Sequence, residues 1–323
     1  MSICSKQVEY GRVLVMFPVL FSIASVPVSS LGIFLILALI YAIFLVWRLS
    51  RAWDIDEEKV LDLTFLTAFG ALVGARSYFV LQYFNYFSED LGRVLAIFKY
   101  PGLSFWGAFL GGWLTLYFAS RKSRIDYGHL LDIAAVGFLG GLFLGDLGCL
   151  LGGCDVGRAS GFLGVSMVGQ VGRRFPVQLL EAVLVIIILL RIWPQATHFH
   201  TAGTVGSKIL MWVGVVKFIT EFFRASHVGG YFFSLVIITL GISLQYRFSR
   251  RSFKHDLSIL RELLQKLATD NRFRKVALQN LYQSCYNWSV SSLNDTRIAI
   301  KWRFRNLGKV LRKLNVKSTT KNT

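Results

Sequence analysis

Over most of its length this chain lacks charge. Charged residues make up 17% of its 323 positions, against about 25% in a typical soluble domain, and acids are the scarcer kind, 18 against 36 Lys and Arg. A water-solvated globular surface is therefore excluded as the main architecture. Cysteine is scarce too. Cys4, Cys149, Cys154 and Cys285 are too scattered for a disulfide framework, and only Cys149 and Cys154 stand close enough to share a site. No histidine or further cysteine lies near that pair, so it reads as small apolar packing or a disulfide on the outer face rather than half a metal centre. Alternating segments of about ten residues, the mark of a membrane β-barrel, are absent. So is a repeated half with paired broken helices, which disfavours a transporter.

What the chain has is long apolar runs. Hydrophobic residues reach 54%, and several runs approach the ~20 residues that span ~30 Å of hydrocarbon. The fold class expected is an all-α polytopic membrane protein of about seven transmembrane helices. The crossings predicted are Leu31–Trp47, Val60–Phe84, Leu103–Ala119, His129–Leu151, Pro176–Leu190, Thr204–Phe223 and Tyr231–Tyr246. Residues 1–30, with prolines at Pro18 and Pro27, read as a lead-in at the outer face, and 31–248 as the membrane domain. Residues 249–323 read as a basic cytoplasmic tail. Basic clusters after the first, third and seventh runs (Arg48 and Arg51; Arg121, Lys122 and Arg124; Arg247 onward) place those ends in the cytoplasm, with the N-terminus outside.

The tail carries most of the net charge of +18, with only Asp256, Glu262, Asp270 and Asp295 as acids. Leu257, Leu260, Leu264 and Leu267 recur at helical spacing, and Ile298 to Leu314 allows a second amphipathic helix. A solvated or membrane-skimming tail drawn to anionic lipid is the expectation, with no nucleic acid as partner.

Polar residues inside apolar runs are expensive, so they mark sites. Lys217, Glu221 and Arg224 share one face of the sixth helix, and must look inward, either as a helix-locking salt bridge or along a substrate path. Gln178 and Glu181 share a face behind Pro176, where the charge also suits the helix dipole. Arg76 lies near the outer end of the second helix, able to fork onto a phosphate or to snorkel. Asp146 sits in the glycine-rich stretch Gly140–Glu181, which leads through Arg158, Arg173 and Arg174 and reads as the floor of a polar pocket. Trp106 is an interface aromatic or a pocket wall. His198 and His200 read as surface histidines.

In this order the segments resemble prolipoprotein diacylglyceryl transferases. The resemblance covers roughly Pro18 to Tyr246, through GARSYFVLQYF (Gly74–Phe84), GLSFWGAFLGG (Gly102–Gly112), FPVQLLEA (Phe175–Ala182) and VKFITEFFR (Val216–Arg224). GDLGCLLGGCDVGR falls where that family has GRxGNFxNxExxG. Gly145, Gly148 and Gly157 match, while Asp146 replaces an arginine, Cys149 and Gly152 replace asparagines, and Cys154 replaces a glutamate. Trp106 and Phe175 stand at histidine positions, and Lys217 at an arginine. The resemblance implies a bacterial inner-membrane enzyme of lipoprotein biosynthesis that needs no cofactor and no metal. It would move the diacylglyceryl group of phosphatidylglycerol to the lipobox cysteine of a prolipoprotein signal peptide. Glu221 and Lys217 would be catalytic, and Arg76, Arg158, Gln178, Glu181, Arg224 and Asp146 would bind substrate. The alternative is an inactive homologue that holds lipid or signal peptide in the same pocket.

Overall fold

A computed structural model describes residues 19–23, 26–88, 92–95, 100, 102–161, 164–167, 172–225 and 229–249, with single positions at 256, 258, 261, 265, 279 and 283. The chain divides into two compact units, Met1–Arg250 and Arg251–Thr323. The amphipathic helices expected in the tail lie outside the described residues.

The first unit opens with β1 (Val19–Ile23) and β2 (Val26–Ser29), an antiparallel hairpin. Helices α1 (Ser30–Ala52) and α2 (Glu57–Gln82) follow, then two short turns, α3 (Phe84–Phe87) and α4 (Gly92–Leu95). Next come α5 (Phe105–Ser123) and α6 (Tyr127–Gly152), and a loop with the two-residue strands β3 (Val165–Ser166) and β4 (Arg173–Arg174). The unit closes with α7 (Val177–Thr197), α8 (Thr204–Glu221) and α9 (Gly230–Ser249). Among these, α1, α2, α6, α7 and α9 are long and apolar enough to cross a membrane. The architecture is all-α and polytopic.

Helix boundaries follow local chemistry. Ser29, Asp56 and Asp126 cap α1, α2 and α6, their side-chain oxygens accepting the N–H of Gly32, Lys59 and Gly128 respectively. Gly153 ends α6 in the left-handed conformation (φ 71°), its N–H returning to the Cys149 carbonyl at 2.9 Å. Helix α7 runs past the expected end at Leu190 to Thr197, with Pro194 inside its last turn. Trp53 on the neighbouring helical hairpin donates its indole N–H to the Ala196 carbonyl there, which holds the continuation in place.

The bundle is apolar outside and holds polar groups inside, as lipid demands. Ile36, Phe69, Phe118 and Phe232 are 61–66% exposed, whereas Asp146, Glu181, Lys217 and Glu221 are buried. Leu49, Val136, Leu139, Val185, Ile209 and Val213 belong to the central core. Helices α2 and α5 meet backbone to backbone. A Cβ on Gly74 would sit 2.4 Å from the Gly107 carbonyl oxygen, and one on Gly111 2.4 Å from that of Gly70. The two Gly-xxx-Gly pairs are thus what lets these helices touch. Gly148 lies against Phe34 and Gly137 against Val46, so α6 runs antiparallel to α1. One end of the bundle therefore gathers the start of α1, α5, α7 and α9 with the close of α2, α6 and α8.

At the opposite end, Asp132 accepts the N–H groups of Gly203 and Gly206 at the start of α8 and binds His200 Nε2 at 2.9 Å. Expected as a surface residue, His200 is instead half-buried, edge-on to Trp53 at 4.5 Å. Its neighbour His198 is exposed.

Candidate functional site

The site forms where α7 begins and α8 ends. Gln178 and Glu181 are one turn apart on α7, and Lys217, Thr220 and Glu221 lie in the last turns of α8, so 3.6-residue periodicity turns each set to one face. The Glu181 carboxylate, 1% exposed, organises the rest. Its Oε2 accepts from Lys217 Nζ at 2.7 Å, and its Oε1 from Thr220 Oγ1 at 2.6 Å and Arg224 Nη2 at 2.9 Å. The same Arg224 nitrogen lies 3.4 Å from Asp155 Oδ2, and Arg224 Nε lies 3.6 Å from Glu221 Oε2. Lys217 Nζ also stands 4.4 Å over the ring of Phe105, the first residue of α5.

The loop after α6 is knitted onto this cluster. Arg158 N–H donates to the Phe223 carbonyl at 2.8 Å, Phe175 N–H to the Arg158 carbonyl at 3.0 Å, and Ala225 N–H to the Val156 carbonyl at 2.9 Å. Gln178 Nε2 donates to the Asp155 carbonyl. Gly157 is obligatory here, because a Cβ would fall 2.0 Å from the Phe175 carbonyl oxygen. Cys149 and Cys154 are joined as a disulfide across the end of α6, the second of the two roles open from the sequence. The Arg158 side chain is exposed.

Asp146, three residues before Cys149, is buried within electrostatic reach of Lys217, Glu181 and Asp155. Its Oδ2 is buried with no hydrogen-bond partner among the described residues. Glu221 is sealed in from another side. A Cβ on Gly230 would lie 2.1 Å from its Oε1, so any side chain there would displace the carboxylate. Trp106 stacks on Phe233 at 5.2 Å, a wall of aromatic rings.

Arg76 does something other than what was expected of it. Its Nε donates to the Val94 carbonyl, its Nη1 to those of Tyr100 and Gly102, and its Nη2 to that of Arg93, all at 2.8–3.0 Å. Four of its five N–H groups thus tie down the connection between α2 and α5. Thr220, Asp155 and Phe105 entered the site without warning from sequence. The only signal for Thr220 was its place on the Lys217–Arg224 face.

A buried ion cluster is a poor stabiliser, since desolvation offsets most of the Coulomb gain; within a bundle in lipid it marks a place where charge is used. Glu181 engages one of the three N–H groups of Lys217, which leaves donors to meet an anion. Among the described residues no three His, Cys, Asp or Glu side chains are grouped to hold a metal ion.

Fold and site together define a multi-pass helical membrane protein with a buried cluster of charged side chains at one end of its bundle. The prolipoprotein diacylglyceryl transferase family model matches residues 18–247. Similar proteins named phosphatidylglycerol–prolipoprotein diacylglyceryl transferase include those of three bacteria. That of Geobacter sulfurreducens is 30% identical over 250 residues, 72% of this chain and 96% of the relative. The Finegoldia magna protein is 24% identical over 258 residues, 74% and 98% respectively. The Dehalococcoides mccartyi protein is 35% identical over 145 residues, 45% of this chain, and the match spans only 55% of that relative's length. The chain belongs to the prolipoprotein diacylglyceryl transferase family.

Proposed function

We propose that this protein transfers the diacylglyceryl group of phosphatidylglycerol to the lipobox cysteine of prolipoproteins, within a bacterial inner membrane. The observation that carries the reading is the Glu181–Lys217–Arg224 cluster, buried between α7 and α8. It lies at the bundle end opposite the basic clusters Arg48–Arg51 and Arg121–Arg124. By the excess of basic residues on cytoplasmic ends, the cluster then faces outward, where a signal peptide emerges. The exposed, basic Arg158 loop lies on that side, and the tail after Arg250 lies inside, drawn to anionic lipid.

In the reaction the cysteine sulfur forms a bond to the glyceryl carbon while the bond from that carbon to the phosphate oxygen breaks. Glycerol 1-phosphate leaves, and the thiol proton ends on it. Negative charge thus grows on the phosphate as sulfur loses its proton. Lys217, with Arg224 behind it, supplies positive charge from a site that water does not screen. Glu181 and Thr220 hold the lysine in place, and Glu221 fixes Arg224. Membrane lipid also fills the outer faces of α1, α2 and α9, where the large exposed apolar side chains stand.

Transfer from labelled phosphatidylglycerol to a lipobox peptide, by the purified protein and by Lys217→Ala and Glu221→Ala, tests this. The expected result is a labelled thioether with the native protein and at least a 100-fold loss in Lys217→Ala, the scale of removing one preorganised charge contact. A native protein that binds lipid and peptide but transfers nothing would leave the inactive binding homologue instead.

A further inference from the structure

We infer that Asp146 is the group that takes the proton from the attacking thiol. This inference rests on the transfer reading above. A thiol is a weak nucleophile until it loses its proton, so the site needs an acceptor beside the sulfur. Among the described residues, four carboxylates are gathered about the cluster, Asp146, Asp155, Glu181 and Glu221, and three of them are engaged. Glu181 accepts from Lys217, Thr220 and Arg224. Asp155 pairs with Arg224, and Glu221 does so while closed in by Gly230. Asp146 Oδ2 is buried and accepts nothing among the described residues. A buried acceptor without a donor costs about 1–3 kcal/mol, which a hydrogen bond from an incoming S–H would relieve.

The described histidines are far from the cluster. His129 lies 17 residues before Asp146 on α6, about 25 Å at 1.5 Å per residue, and His198 and His200 sit at that same distant end. The charged groups within reach of Asp146 are Lys217 on α8, Glu181 on α7 and Asp155 in the following loop.

A carboxylate beside a phosphodiester is repulsive, and the proton transfer removes that charge. The S–H proton passes to Asp146 Oδ2 as the sulfur–carbon bond forms. Asp146 is then neutral when the breaking carbon–oxygen bond puts its electron pair on the phosphate. The proton afterwards moves to the departing glycerol phosphate, which restores the carboxylate.

The test uses the full-length protein with two lipobox peptides, one with cysteine and one with selenocysteine, whose selenol is already ionised at neutral pH. Asp146→Asn should lower transfer to the cysteine peptide about 100- to 10,000-fold at neutral pH. The loss should shrink as pH rises towards the ordinary thiol pKa near ~8.5, and transfer to selenocysteine should stay within a few-fold of native. Asp146→Glu, which keeps a proton acceptor, should restore a native ratio between the peptides. The native protein itself should be slowed by D2O with cysteine and not with selenocysteine, a readout that needs no variant to fold. Equal losses on both peptides, or a D2O effect indifferent to the nucleophile, would overturn the assignment. His227, between α8 and α9 in the sequence, lies outside the described residues; the same selenium rescue in His227→Asn but not in Asp146→Asn would also overturn the assignment. If the native protein modifies neither peptide, the transfer reading fails and takes this inference with it. An active native protein that Asp146→Asn leaves unchanged defeats the inference alone.

Discussion

Glu181 is the residue on which the site turns. It meets Lys217, Thr220 and Arg224 at once while 1% exposed. Glu181→Gln keeps the shape and removes the charge, leaving two buried cations facing each other. Breaking a buried pair in this way costs about 3–5 kcal/mol. The variant should melt measurably earlier in detergent, whereas an unchanged melting point would mean the cluster is not closed as described. His200 offers a second check. Burial works against its charge, but the hydrogen bond to Asp132 and that to the His198 carbonyl outweigh it and hold its pKa above the ordinary value. A raised pKa contributes stability that is complete below about 6.5 and fades as pH climbs through the folded value. The stability gap between native protein and His200→Gln, on the order of 1 kcal/mol for one such hydrogen bond, should therefore narrow from pH 6 to pH 9. A gap that widens would reverse the sign of the account. The sequence exposed the face shared by Lys217, Glu221 and Arg224, because helical spacing alone decides it. It could not supply their partner, since Glu181 lies 36 residues from Lys217 and only packing pairs them. Nor could it reveal the role of Arg76, whose partners are backbone carbonyls that no side-chain pattern encodes.

At the scale of elements, two joints carry the geometry. The α2–α5 contact depends on glycines whose missing Cβ atoms would lie within 2.4 Å of carbonyl oxygens. Gly107→Val should force the helices apart at a cost of about 1–3 kcal/mol, seen as a lower melting temperature, and should loosen Phe105 beneath Lys217. A variant as stable as the native protein would show that the helices do not meet there. The second joint is the Cys149–Cys154 disulfide, which closes a short loop (sequence separation 5) at the end of α6. The chain-entropy relation gives it about 2 kcal/mol. A doubly Cys→Ser protein should lose that stability, and the native protein should lose it under reductant, while the double variant should not respond to reductant at all. Long apolar helices were legible because lipid permits so little else. Their ends were less so. Helix α7 continues across Pro194 to Thr197 because a tertiary contact from Trp53 holds its last turn, and no local rule anticipates that. The strands β3 and β4 were equally silent, being two residues each.

The first unit is a bundle with its charge sorted to its ends. One end holds Asp132 and His200 among the basic clusters, and the other holds the Glu181 cluster beneath the Arg158 loop. Of the glycine-rich stretch Gly140–Glu181, singled out from sequence because glycine and charge rarely coincide in lipid without a use, Asp146 and Glu181 are buried at that end. The central claim is that the Glu181 cluster couples loss of the lipid headgroup to capture by a thiol. It is tested most directly by following glycerol 1-phosphate released from phosphatidylglycerol, with and without lipobox peptide, by the native protein and Glu181→Gln. The account predicts release only with a cysteine-bearing peptide, one equivalent per thioether, and at least a 100-fold slower release in the variant. Release without peptide, or release that Glu181→Gln leaves untouched, would contradict it.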